Sequence, residues 1–226
     1  MYFILFIAIA IISYMVQANL QRKFKRYSEV RTANGMTGKE VAIKMLHDHG
    51  IYNVTVTSTP GHLTDHYNPT DQTVNLSESV YNSNSIAAAA VAAHECGHAV
   101  QHAVAYGPLT MRSALVPVVS FASQWVQWVL LAGILLVNVF PGLLALGVIL
   151  FALTTLFSFV TLPVEIDASR RATKWLSNAG ITTYADHSMA VDALRSAAYT
   201  YVVAALSSLA TLVYYVMILM GNQSDD

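Results

Sequence analysis

The sequence predicts a mainly α-helical membrane protein: about four transmembrane helices and a small α+β module on one side of them. Three observations carry this expectation. Of 226 residues, 55% are hydrophobic and 11% charged, a balance shifted well toward the apolar side of a soluble domain. Four apolar runs each approach or exceed the ~20 residues that a helix needs to cross the hydrocarbon core. Finally, the lysines and arginines are confined to two stretches of chain. The same composition sets limits on function. A net charge of −1 argues against a nucleic-acid surface, which would need a basic excess. The single cysteine, Cys96, excludes an internal disulfide and fits a reducing compartment.

The first run, residues 1–20, has no basic residue ahead of it, and its positives follow in Arg22-Lys23-Phe24-Lys25-Arg26. A cleaved signal peptide has the reverse order, so this run reads as a retained anchor with a cytoplasmic basic flank. Residues 116–139 and 143–162 form the second and third runs, separated by a hairpin turn at Asn138-Val139-Phe140-Pro141-Gly142. Residues 199–220 form the fourth. All twelve lysines and arginines lie within 21–115 or 163–198, and none in the hairpin turn or the tail 221–226. Four spans place both polar regions on one side of the membrane. The positive-inside rule makes that side cytoplasmic and leaves both termini outside. All eight histidines share the cytoplasmic regions.

Within 21–115, Thr37 to His49 reads as a short amphipathic helix stopped by Gly50. Val54–Thr57 and Gln72–Leu76 alternate as strands that pair across a turn region at 65–71. Ser83 to Ala105 is helical, with Ser85 as N-cap of an alanine-rich stretch. That helix is not a fifth span, because its centre carries His94, Glu95, His98 and His102, and an odd span would split the basic residues between two sides. No internal repeat or low-complexity linker is evident, so residues 1–226 read as a single integral-membrane domain.

The chemistry lies in His94-Glu95-Cys96-Gly97-His98. Histidines four apart on a helix project from one face about 6 Å apart along the axis, so two imidazoles reach one zinc at ~2.0–2.1 Å each. Glu95 then sits where it takes a proton from a zinc-activated water and returns it to a leaving amine. Two ordinary helix histidines are the competing reading; three ionisable groups in an alanine-rich, membrane-proximal helix count against it, being costly unless paired.

A catalytic zinc needs a third protein ligand. His102 extends the series but lies about 12 Å along an unbroken helix from His94, too far to share the metal, which leaves it a supporting or structural role. Glu165 is the better candidate. It begins Glu165-Ile166-Asp167-Ala168-Ser169-Arg170-Arg171 where the third span regains the cytoplasmic surface, and it completes a His-His-Glu set. The competing reading of Glu165 and Asp167 is a solvated helix start after Pro163. Cys96, on nearly the opposite face from His94, reads as a packing thiol.

These residues resemble the YugP-type bacterial neutral zinc metallopeptidases. The resemblance rests on Gly61-His62-Leu63-Thr64-Asp65-His66-Tyr67, on Ala92 through His102, on Arg112-Ser113-Ala114-Leu115-Val116-Pro117 and on Leu162 through Ala172. More distantly the chain is similar to HtpX-type and CAAX-processing gluzincins. The resemblance implies a zincin-like module, one zinc per chain held by His94, His98 and Glu165, and Glu95 as catalytic residue. It also implies residence in the bacterial inner membrane. The distant relatives usually carry an aspartate four residues after the ligand glutamate. Here that position is Ser169 and the acid is Asp167, about 200° away around a regular helix. His62 and His66, with Asp167 and His102, are candidates for supporting the ligands or stabilising an oxyanion. The gluzincin analogy further implies that the Val74–Leu76 strand offers an edge to an extended peptide.

The leading expectation is therefore a zinc endopeptidase acting on proteins or peptides at the cytoplasmic membrane surface, in contact with lipid and open to a membrane-protein partner or an oligomer. A non-proteolytic zinc-containing sensor or assembly factor is the alternative, and an intact Glu95 argues against it. An intramembrane protease would require the zinc helix itself to span, which the charge pattern opposes.

Overall fold

A computed structural model describes residues 2–223; Met1 of the first apolar run and Ser224–Asp226 of the tail lie outside the described residues. In chain order the elements are α1 (Tyr2–Tyr27), α2 (Gly38–Asp48), β1 (Thr55–Thr59), β2 (His66–Asn68), β3 (Thr73–Ser77), α3 (Glu78–Tyr81), α4 (Ile86–Ala103), α5 (Gly107–Leu135), α6 (Pro141–Asn178) and α7 (His187–Gln223). Four of these, α1, α5, α6 and α7, are long and apolar enough to cross a membrane, and α4 is not among them. The described residues form two compact units, one drawn from 1–14, 110–162 and 201–226, the other from 15–109 and 163–200.

In the first unit, Leu130 of α5 packs with Leu144 and Val148 of α6, flanked by Leu212, Tyr215 and Val216 of α7. Large apolar side chains such as Ile4, Phe121, Trp128 and Leu206 stay exposed. The boundaries differ from the sequence expectation. The second run was expected to reach Val139, but α5 stops at Leu135, and 136–139 form a turn in which the Phe140 N–H donates to Leu136 O at 2.7 Å. Pro141 opens α6 instead of sitting in the turn, because its fixed φ and missing N–H suit a first helical position. With 38 residues, α6 is about 57 Å long and cannot fit within a ~30 Å hydrocarbon core.

The second unit has its own core. Val41, Met45 and Leu46 of α2, Val74 and Leu76 of β3, the alanines of α4, and Trp175 and Leu176 of α6 close one buried cluster. Helix α2 begins with a complete capping box: Thr37 Oγ1 accepts from the Glu40 N–H while Glu40 accepts from the Thr37 N–H. It ends as expected at Gly50, whose φ of 72° lets the Ile51 N–H return to Leu46 O. Helix α4 starts with Ser85 accepting from the Ala88 N–H. It terminates without glycine: Ala105 takes φ 49°, and the Tyr106 N–H closes on Gln101 O.

The sheet corrects two expectations. β1 pairs β3 in parallel, with Thr55 opposite Thr73, and the strand order is β1-β3-β2. The region expected to be a turn therefore holds a third strand, β2, antiparallel to β3 with Tyr67 opposite Val74. The turn proper is shorter: Asn68 Oδ1 accepts from the Thr70 N–H at 2.9 Å, an Asx turn that spans Pro69. The second correction follows. β3, which holds Val74–Leu76, is central and paired on both sides, so it offers no edge to a peptide.

Candidate metal centre

Everything at this centre is built from α4 and from the part of α6 that belongs to the second unit. Glycine at position 97 lets the two helices meet: a Cβ there would lie 2.7 Å from Ala168 O and 3.1 Å from Ala168 Cα. The close approach brings Glu165 against the histidine face of α4. His94 Nε2 lies 3.3 Å and His98 Nε2 3.6 Å from Glu165 Oε2. One ligand atom from each of His94, His98 and Glu165 falls within 4.8 Å of the others. Atoms sharing a tetrahedral zinc at ~2.0–2.1 Å stand roughly 3.3 Å apart, so both nitrogen–oxygen separations fit such a metal, and two imidazoles with one carboxylate are a donor set that zinc accepts.

Glu95 points into a constrained place. Only 8% exposed, it accepts the backbone N–H of Tyr67 in β2 at 3.1 Å through Oε2. No side-chain pattern in the sequence encodes that donor. The Tyr67 phenol lies 3.4 Å from His102 Nδ1, and burial pushes it above its usual pKa, so it remains a hydroxyl. His102 is exposed and lies outside the cluster of potential ligands, as the helical rise predicts.

The outer edges of the two imidazoles have different partners. His98 Nδ1 is 3.0 Å from Gln101 Oε1, and the Gln101 Nε2 donates to Val164 O and Asp167 Oδ2, both at 2.8 Å. Asp167 in turn accepts from Arg171 Nε. His94 Nδ1 is 3.1 Å from Ser169 Oγ. Ser169, noted in the sequence as the position where an aspartate was missing, thus faces the first histidine. Asp167 stands behind the second through Gln101. Gln101, fully buried, carries no mark of this role in the sequence beyond its position three residues after His98 on the same helix face.

Burial alone would lower His98's pKa. The hydrogen bond that His98 donates to Glu165 and the charges of Glu95 and Glu165 outweigh it and raise His98 above the usual imidazole range. A proton therefore competes with any metal at this nitrogen.

His66 is exposed and accepted by its own loop, Nδ1 lying 2.8 Å from Thr64 O. Asp65 accepts from the Ser77 N–H at 2.7 Å and so fixes the end of β3. His62 lines a cavity beside α1. Neither histidine belongs to the ligand cluster. Cys96 is buried, with Sγ 3.5 Å from Ala42 O.

Residues 2–220 match a family model described as "Putative neutral zinc metallopeptidase". The chain belongs to this family. It is also 41% identical over 215 residues, 95% of each chain, to the "Putative membrane protease YugP" of Bacillus subtilis (strain 168). No solved structure matches it.

Proposed function

We propose that this chain is a zinc-dependent endopeptidase of the bacterial inner membrane, hydrolysing peptide bonds of proteins or peptides at the cytoplasmic surface. The observation that carries the reading is the convergence of His94, His98 and Glu165 within 4.8 Å, with Glu95 next to the first ligand. His94, His98 and Glu165 would hold one zinc per chain. When bound, zinc would acidify a water and polarise the substrate carbonyl.

The chain's own residues supply the rest. The Tyr67 N–H anchors one oxygen of Glu95, leaving the other free to take the proton of the attacking water. The same carboxyl then passes that proton to the leaving amine. Gln101 and Ser169 orient the two imidazoles, and the Tyr67–His102 pair stands nearby as a source of hydrogen-bond donors for negative charge developing on the carbonyl oxygen.

On this reading residues 1–226 work as one integral-membrane metallopeptidase domain. Segments 21–115 and 163–198 are cytoplasmic and both termini are outside, because every lysine and arginine lies in those two segments. Labelling checks the orientation on a quiet background. Cys96 is fully buried, and burial, then the Glu95 charge, pushes its thiol well up. Val139→Cys should react from outside intact cells and Tyr52→Cys only after permeabilisation; the opposite pattern contradicts the topology.

The activity is tested by zinc content and cleavage together. Purified protein should carry zinc in a 1:1 ratio and cleave casein, lose both on exhaustive chelation, and regain both when zinc returns. Zinc retained by a protein that cleaves neither casein nor membrane proteins would favour the sensor or assembly role instead.

A further inference from the structure

The Gly61–Tyr67 segment divides its labour. Asp65 and Tyr67 reach Ser77 and Glu95, but His62 and Leu63 line a cavity of about 520 Å3 with α1 and the first turn of α4. Leu63 is held at φ 59°, a left-handed conformation rare for a branched apolar residue, and that conformation accompanies its 48% exposure. Strain of this kind concentrates where a chain serves a ligand.

The wall contributed by α1 is two-toned. Leu20 and Phe24, four residues apart, form an apolar stripe, and Gln21, Lys25 and Ser28 form a polar stripe beside it. No acidic residue lines the cavity among the described residues. Among the described residues Lys25 makes no ion pair, whereas Lys23, two residues earlier, is paired with Asp192 at 2.7 Å. The cavity also sits where the apolar run of α1 gives way to Arg22–Arg26, the level at which a spanning helix meets lipid headgroups.

We propose that this cavity is a binding site for an anionic phospholipid. The phosphate sits near Lys25 and His62, and the first acyl carbons lie along Leu20, Phe24 and Leu63. Basic pockets at the cytoplasmic ends of membrane helices bind such headgroups. The site rests on α1 spanning the membrane and is independent of the metal.

The test uses full-length protein, delipidated in nonionic detergent, with phosphatidylglycerol and phosphatidylcholine titrated separately and bound lipid counted by native mass spectrometry. Wild type should prefer phosphatidylglycerol. Lys25→Glu should weaken its binding about tenfold or more while zinc content stays unchanged. Leu63→Asp, at an exposed position, should weaken both lipids. Arg22→Glu, the same charge change outside the lining, should cost much less. Equal losses for Arg22→Glu and Lys25→Glu would mean general attraction to a basic cluster and would overturn the site. So would absence of lipid preference in the wild type. Loss of zinc with lipid preference intact would count against the peptidase reading alone.

Discussion

His94 and His98 leave the same helix one turn apart, and the chain holds their outer ring edges in two different ways. His98 faces an amide, His94 a hydroxyl. A hydroxyl rotates and serves as donor or acceptor, so Ser169 accommodates either tautomer of His94. The Gln101 amide has no such freedom. Its Nε2 serves two acceptors, Val164 O and Asp167, and flipping it would set an oxygen against both at 2.8 Å. Oε1 therefore faces His98, Nδ1 must be the donor, and Nε2 is the nitrogen left for a metal or for the proton that competes with it. One candidate ligand is locked by a relay that runs through the buried Gln101 to Asp167 and Arg171; the other rests on a partner that water can replace.

The largest expected effect removes what the two sides share. Glu165→Ala takes away the third ligand, and zinc affinity by chelator competition should fall by more than the ~10–100-fold typical of losing an outer partner. Normal zinc content in that variant would show that another residue completes the set. Next comes Gln101→Met, which keeps the volume but removes the acceptor. Affinity should fall about 10–100-fold with the metal-free fold retained by circular dichroism. Unchanged affinity would mean that Gln101 only fills space. Ser169→Ala should cost least, below about tenfold, because its half-buried position admits a replacement water. Equal losses from Gln101→Met and Ser169→Ala would erase the contrast between the two sides.

Much of the candidate ligand set was legible because it follows from periodicity. A four-residue spacing puts His94 and His98 on one face, and the same rise excludes His102. Glu165 was reachable because a carboxylate at the end of an apolar run needs a reason to be there. The rest was hidden for physical causes. Gln101 is uncharged and looks like any helix residue until its partners on α6 are known. Asp167 appeared misplaced by two residues because the expected direct bond to an imidazole is replaced by one passing through Gln101. The donor that fixes Glu95 is a backbone N–H, which every residue but proline carries. β2 was missed because His-Tyr-Asn is only three residues long and lacks the alternation that marks β1 and β3. Helix ends moved for local reasons: Pro141 starts a helix that the apolar run alone placed two residues later.

The central claim is that His94, His98 and Glu165 hold zinc while Glu95 moves the proton. It is tested most directly by comparing wild type with Glu95→Gln in one preparation, measuring zinc per chain and the rate of casein cleavage. Both proteins should carry one zinc, and only the wild type should cleave, the variant slowing by the ~10²–10⁴-fold expected of a lost general base or more. Equal cleavage by the two proteins, or a wild type without zinc, would contradict the account.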